Sequence, residues 1–224
     1  MKILLVAATP FEIAPFLEHL KASFIESTAD FYTKGALSIR VCVTGVGVVA
    51  TTFELSKQLQ REHYQLVINA GIAGSFSPAA GIGAVANVIS ERFGDLGVEE
   101  KDGSFSDIFD LQLGQPNVFP FENGILKNKA TSDFSFLKSV NGLTVNKVHG
   151  HERTIEKIKE KYPEAVIETM EGAAVFYVCL KEGINFLEIR SVSNFVEPRN
   201  KENWDLPLAI RNLNEVLVTL VSSL

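Results

Sequence analysis

Cysteine is nearly absent: the 224 residues hold two, Cys42 and Cys179, both inside apolar segments. That excludes a disulfide scaffold and leaves two small core residues without a metal-binding spacing. No basic block is present. Lys and Arg number 21 against 27 Asp and Glu, for a formal net charge of -6, which argues against nucleic acid as a partner because phosphate recognition needs a clustered positive face. No apolar run approaches the roughly 20 residues needed to span a bilayer. The amino terminus runs straight into a strand without signal-peptide anatomy, so no membrane partner and a cytoplasmic location are expected. Neither a linker nor an internal repeat divides the chain, and residues 1–224 are expected to form one domain. What is plentiful is core material: 46% of residues are hydrophobic and the mean hydropathy is +0.14.

The stretch from Val166 to Val178 concentrates the chemistry. Ala165 to Ile167 reads as the end of a buried strand and Gly172 to Leu180 as an apolar helix, with Glu168 and Glu171 at the switch between them. Carboxylates beside so much apolar surface are costly unless a partner or a ligand shares their hydrogen bonds. One reading makes Glu171 a helix-capping acid that meets the positive end of the dipole. The other makes it a ligand-binding group, since strand-to-helix turns are the usual sites in α/β proteins.

Other strand ends carry similar signals. Ile3 to Ala7 is a uniformly apolar strand. Thr9-Pro10 then reads as the start of a helix, with Thr9 as cap and Glu12 in its first turn. Phe31 to Val43 reads as a hairpin turning at Lys34-Gly35. It leads into Thr44-Gly45-Val46-Gly47-Val48-Val49-Ala50, a glycine turn whose amides face an anion or hydroxyl, or which merely packs helix on sheet. A dinucleotide loop is disfavoured there, because the pattern follows the hairpin and no ribose-binding acid is suitably placed. Gln65 to Ile68 is a strand followed by the small-residue loop Asn69 to Ser75, and Ala84 to Ser90 is another strand. The segment from Arg92 to Leu137 looks irregular, a lid, an insertion or an oligomer contact. Its Phe105, Phe109, Phe119, Phe121, Phe134 and Phe136 are expected mostly to fill core.

Gly142 to Val148 reads as a strand followed by His149 and His151, a pair without the third ligand a metal site needs. Thr154 to Tyr162 is a charged amphipathic helix stopped by Pro163. Phe186 to Ser191 is the last buried strand and delivers Arg190, Ser193 and Asn194 to the rim, and Leu206 to Leu224 is the closing helix.

These rim segments, in this order, resemble the purine nucleoside phosphorylase and nucleosidase superfamily over nearly the whole chain, most weakly between Arg92 and Leu137. Met170-Glu171-Gly172-Ala173-Ala174 followed by Arg190-Ser191-Val192-Ser193-Asn194 is the most specific match. The tail Ser193 to Asn200 makes the chain most similar to the futalosine hydrolase family, relatives of the methylthioadenosine/S-adenosylhomocysteine nucleosidases. The resemblance implies an α/β fold with a central mixed twisted sheet flanked by helices. It also implies hydrolysis of the N-glycosidic bond of a purine nucleoside, no cofactor and no metal, and a homo-oligomer, dimer or larger.

Roles follow from the same resemblance. Glu12 would activate the attacking water, and Glu171 would grip the ribose hydroxyls with Met170 packed on the sugar. Val148 and His149 would contact the base through their backbone. Ser193 and Asn194 would face the purine's five-membered ring, Arg190 would support the loop or bridge to Glu12, and Gly71 and Thr169 complete the substrate-binding set. Breaking the bond builds positive charge on the ribosyl ring and negative charge on the purine, which acids beside the sugar and donors beside the base would favour. Two departures from the family sharpen the reading. Asn194 stands where adenine-specific nucleosidases carry an aspartic acid; it cannot donate a proton, but its amide can accept from a protonated N7 and donate to a 6-oxo group; the alternative reading is that it merely caps a turn. The loop Ala8 to Glu12 has no arginine for phosphate and offers an acid, which points to hydrolysis over phosphorolysis. Glu12, Glu171 and Asn194 should then line one cavity. The rival readings are a methylthioadenosine/S-adenosylhomocysteine nucleosidase, a nucleoside-binding protein without catalysis and, more distantly, a nicotinamide-binding dehydrogenase.

Overall fold

The computed structural model describes residues 1–129 and 137–224, so Phe134 and Phe136 lie outside the described residues. Thirteen strands run in chain order as β1 (Lys2–Ala7), β2 (Ile25–Thr28), β3 (Phe31–Lys34), β4 (Leu37–Val43), β5 (Leu66–Ser75), β6 (Val85–Phe93), β7 (Gly97–Glu99), β8 (Phe105–Asp107), β9 (Phe121–Glu122), β10 (Ile125–Lys127), β11 (Lys138–Thr144), β12 (Ile167–Thr169) and β13 (Phe186–Phe195) among the described residues. The helices are α1 (Ala14–Ser23), α2 (Val48–Arg61), α3 (Glu152–Lys161), α4 (Gly172–Glu182) and α5 (Leu206–Ser222). None is long and apolar enough to cross a membrane.

Strand β1 shows how the layers form. Its side chains alternate, as period 2 requires. Leu4 and Val6 join a core with Leu55 of α2 and Phe176 of α4, while Ile3, Leu5 and Ala7 join a second core with Phe16 of α1 and Leu213 of α5. The sheet is therefore buried on both faces, which is why its strands read as unbroken apolar runs. Burial pushes the Cys42 thiol up to about 11 and raises that of Cys179 as well, so both free cysteines are unreactive core residues.

The sheet is mixed, and part of it closes. Strands β1, β4 and β5 pair in parallel. β5 then pairs with β12, β12 with β11, β11 with β6, β6 with β13, and β13 with β5 again. This ring consumes edges that would otherwise stay open. It also explains a correction. Asn69 to Ser75, expected as a loop, is strand throughout, because both sides of β5 are occupied up to its end. For the same reason β13 runs on to Phe195, and Ser193 and Asn194 sit within its last turns of pleat instead of beyond it. β12 likewise starts later than expected, so Glu168 is in the strand, and β11 ends at Thr144, leaving Val148 and His149 on the loop that follows.

Two further expectations are revised. α1 begins at Ala14, with Pro15 in its first turn. Glu12 therefore precedes the helix and cannot be its first-turn acid. The Arg92–Leu137 region contains two short hairpins, β7–β8 and β9–β10, the second paired to β6. Phe109 stacks edge-on against Phe121, and Phe121 packs on Tyr177 of α4. Phe105, Phe109 and Phe121 are half-buried, whereas Phe119 is exposed.

Candidate active site

Glu12 is fixed from three sides. Its Oε2 accepts from the backbone N–H and the hydroxyl of Thr9, both at 2.9 Å, and its Oε1 accepts from Ile72 N–H at 3.1 Å. Asn214 of α5 holds the same turn from behind, donating to the Glu12 carbonyl at 2.9 Å and accepting from Phe16 N–H at 2.9 Å. Thr9 thus binds the acid it was expected to precede in a helix. The carboxylate is 6% exposed.

Glu171 occupies the N-cap position of α4, yet its side chain makes no capping bond there. It reaches instead to the glycine turn before α2, where Oε1 accepts from Gly47 N–H at 3.0 Å. Gly47 has φ +94°, a conformation that favours glycine. The anion faced by that turn is the protein's own carboxylate. α4 is capped from outside, with Ala173 N–H donating to the Thr144 hydroxyl at 2.7 Å. Burial pushes the Glu171 carboxyl up, and Arg190 and the Gly47 N–H pull it partly back.

Arg190 joins the two acids. It is 1% exposed, its Nε donates to Glu188 Oε1 at 2.7 Å, and its Nη2 lies 3.8 Å from Glu171 Oε2. Burial alone would weaken its charge; Glu188, Glu171 and Glu12 together raise its pKa. Neither terminal nitrogen has a hydrogen-bond partner among the described residues. Buried guanidinium donors left open towards carboxylates are where a bound hydroxyl or water would be held. Gly71 makes this meeting possible. A Cβ there would lie 2.0 Å from Arg190 Nη1 and 2.8 Å from Glu12 Oε1. Gly71 thus supplies space for the charged groups.

A second cluster sits further along β5 and β13. Val148, His149, Glu168 and Asn194 line a small cavity of about 50 Å³ with Gly74 and Trp204. Asn194 Oδ1 accepts from the Ser193 hydroxyl at 2.8 Å, and its Nδ2 donates to the Phe195 carbonyl at 2.9 Å. One lone pair and one N–H of the amide remain for a ligand. Arg190 pairs in register with Gly71, and Asn194 with Gly74. Three residues of strand separate the clusters by about 10 Å, the span of a purine with its ribose. The expected common cavity is therefore two adjoining clusters, one around Glu12, Glu171 and Arg190 and one around Asn194 and His149.

Thr169 belongs to neither. Its hydroxyl lies 2.9 Å from that of Thr144 and donates to Glu91 Oε1 at 3.2 Å, behind the site. Met170, half-buried, leads directly into Glu171.

Sequence reasoning missed Glu91, Glu188 and Asn214. Glu188 was detectable: it stands two residues before Arg190 in an apolar strand, so period 2 puts both on one face. Glu91 and Glu188 are both fully buried. They converge above Gly172, where a Cβ would lie 2.3 Å from Glu91 Oε1 and 2.6 Å from Glu188 Oε1. Glu188 has Arg190 as counter-charge at 2.7 Å, whereas the side-chain partners of Glu91 among the described residues are the Thr144 and Thr169 hydroxyls. Burial, and then the charge of Glu188, hold the Glu91 carboxyl well above the usual range.

The family model described as Phosphorylase superfamily matches residues 2–222. Futalosine hydrolase of Acidothermus cellulolyticus is 34% identical over 188 residues, covering 80% of this chain and 74% of the relative. The 5'-methylthioadenosine/S-adenosylhomocysteine nucleosidase of Psychromonas ingrahamii is 24% identical over 239 residues, covering both chains completely. Among solved structures, futalosine hydrolase of Helicobacter pylori strain 26695 superposes with a TM-score of 0.80 at 19% identity, covering 100% of this chain and 98% of that one. At that identity the likeness speaks for a shared fold.

Proposed function

The chain belongs to the phosphorylase superfamily, and from that premise we propose that it hydrolyses the N-glycosidic bond of a purine nucleoside, with futalosine as substrate and hypoxanthine as the released base. The observation that carries the hydrolytic reading is the setting of Glu12. Its carboxylate is held by Thr9 and Ile72 beside a guanidinium with unfilled donors. A water bound there has a base to take its proton and a cation to orient it. Phosphate would meet the negative charge of Glu12 in the same place. Glu171, anchored by Gly47, faces the sugar and favours the positive charge that develops on it as the bond breaks. Met170 packs on the ribose. Asn194 accepts from N7–H once N7 is protonated and donates to the 6-oxo group, and this choice of edge, with the Acidothermus relative, supports hypoxanthine over adenine.

The runner-up substrate is methylthioadenosine or adenosylhomocysteine, supported by the Psychromonas relative. The test is base release from futalosine, inosine and methylthioadenosine, with and without phosphate. Hypoxanthine from futalosine at a phosphate-independent rate is expected. Faster adenine release from methylthioadenosine, or formation of ribose 1-phosphate, would overturn the reading.

Residues 1–224 act as one nucleoside phosphorylase-like domain, a reading supported by the continuous eleven-stranded sheet. Two free buried cysteines fit a reducing compartment such as the cytoplasm. A homo-oligomer is favoured by the apolar surface around α2, where Val46, Val49 and Phe53 are 54%, 81% and 62% exposed; surfaces of that kind commonly mark protein contacts. Light scattering that returned a monomer at assay concentration would remove this part of the proposal.

A further inference from the structure

The cavity next to Asn194 holds a pair of side chains that the roles above leave unused. Glu168 is 4% exposed, and no lysine or arginine lies within ion-pair distance of it among the described residues. Both of its oxygens are spent on one residue. Oε2 accepts from the His149 backbone N–H at 3.1 Å, and Oε1 meets His149 Nδ1. A carboxylate can only accept, so Nδ1 carries the proton. In the neutral ring Nε2 is then a bare acceptor. His149 lines the same cavity as Asn194, and no protein group is bonded to its Nε2 among the described residues.

We infer that Glu168 locks His149 in the Nδ1–H tautomer so that Nε2 accepts the N1–H of a 6-oxopurine and rejects adenine. In a 6-oxopurine N1 is a donor, and in adenine N1 is an acceptor. The 6-oxo base satisfies His149, whereas adenine sets two lone pairs against each other. A site built around a hydrogen bond to a substrate N–H rejects an analogue without it far better than an apolar pocket rejects a wrong shape. The inference rests on the purine nucleosidase reading and names the side chains that read the base. Asn194 then handles the oxygen and N7 while His149 handles N1, and the two edges of one ring are checked by separate groups. Arg199, which also faces the cavity, is occupied by stacking on Trp204 at 4.9 Å. Glu197, on the same wall, accepts from Asn203 Nδ2 at 2.7 Å.

The experiment compares nucleosides that share one 5' substituent and differ only in the base: 6-oxopurine, 6-aminopurine and N1-methylated 6-oxopurine. The kcat/KM ratios are measured for the wild-type protein, Glu168→Gln and His149→Phe. Gln at position 168 can donate as well as accept and releases the tautomer; Phe at 149 keeps a ring and removes both nitrogens. In each variant the 6-oxo over 6-amino preference is expected to fall about tenfold or more, the worth of one hydrogen bond, and discrimination against the N1-methyl compound should fall with it. Ratios within one preparation are insensitive to the fraction folded. Calorimetric binding of free hypoxanthine and adenine to the same proteins gives the answer without turnover. A wild-type protein that releases no purine from any of the three nucleosides would sink the nucleosidase reading. If it does release the 6-oxopurine and both variants keep its preference in rate and in binding, the tautomer assignment alone is wrong.

Discussion

The wall around Arg190 and the wall around Asn194 are built on opposite principles. In the first, Glu12, Glu171, Glu188 and Arg190 are all 6% exposed or less, and several carboxylates divide the charge of a single guanidinium. In the second, each polar atom is answered by a near neighbour of its own: His149 Nδ1 by Glu168, and the two ends of the Asn194 amide by Ser193 and Phe195. Val148 there is 40% exposed. Groups that share one counter-charge in a low dielectric act as a unit, and their removal is not additive. Groups paired one to one can be altered separately. Under the proposed function, bond breaking falls to the shared-charge wall and choice of base to the other.

The largest effect that would break this contrast belongs to Glu12. Glu12→Gln keeps the shape of the side chain and much of its bonding to Thr9 and Ile72 while removing the base. The rate should drop by about two to four powers of ten, with nucleoside binding still measurable by calorimetry. If Glu12 only held its turn together, the substitution would lower stability and leave the rate per folded molecule unchanged.

Next in size is a paired glycine test on one strand. Gly71→Ala puts a methyl 2.0 Å from Arg190 Nη1, a group with no room to retreat. Overpacking of that sort costs about 1–3 kcal/mol, and here it should also displace Glu12 and take the rate with it. At Gly74 the nearest atoms are Val196 Cγ2 at 2.9 Å and Asn194 Nδ2 at 3.3 Å. The Gly74→Ala protein should therefore change base preference more than turnover. Denaturation curves and kcat for both variants decide the matter. Equal losses in the two would mean that the walls are not separate.

Much of this was legible in the sequence, and the reasons differ by element. α4, α5 and the β3–β4 hairpin announce themselves through apolar period, turn glycine and proline. The rim order that led to Glu12, Glu171, Arg190 and Asn194 was likewise present in linear form. What could not be read is anything set by pairing between distant segments. Asn69 to Ser75 looks like a loop because its residues are small, and only the neighbours β12 and β13 make it a strand. Glu12 resembles a helix acid until Asn214, 202 residues further on, is seen gripping its carbonyl. Thr169 seemed a ligand group by its position in the motif, yet the pleat turns it towards Glu91.

The smallest predicted effect isolates Glu91, a buried acid with no ion pair among the described residues. Its carboxyl is fully buried, accepts from Thr144 and Thr169, and is held well above its ordinary 4.5 by burial and by Glu188. The folded chain therefore keeps a proton that the unfolded chain releases above about pH 4.5. From there upward the unfolded state binds fewer protons than the folded one, so this group's stabilising contribution, complete at lower pH, is lost as pH rises towards the folded value. The loss is at most about 1.4 kcal/mol per pH unit. Glu91→Gln resembles the protonated acid and cannot ionise. Near pH 4.5 it should change stability by less than about 1 kcal/mol, and with rising pH it should become the more stable protein of the two. Glu188→Gln should instead destabilise at the low end of this range, because it leaves the Arg190 Nε bond without its charge. Melting curves across this pH range give the slope directly. If Glu91→Gln has the wild-type slope, Glu91 carries no extra proton, and the buried wall holds one further negative charge beside the single positive charge of Arg190.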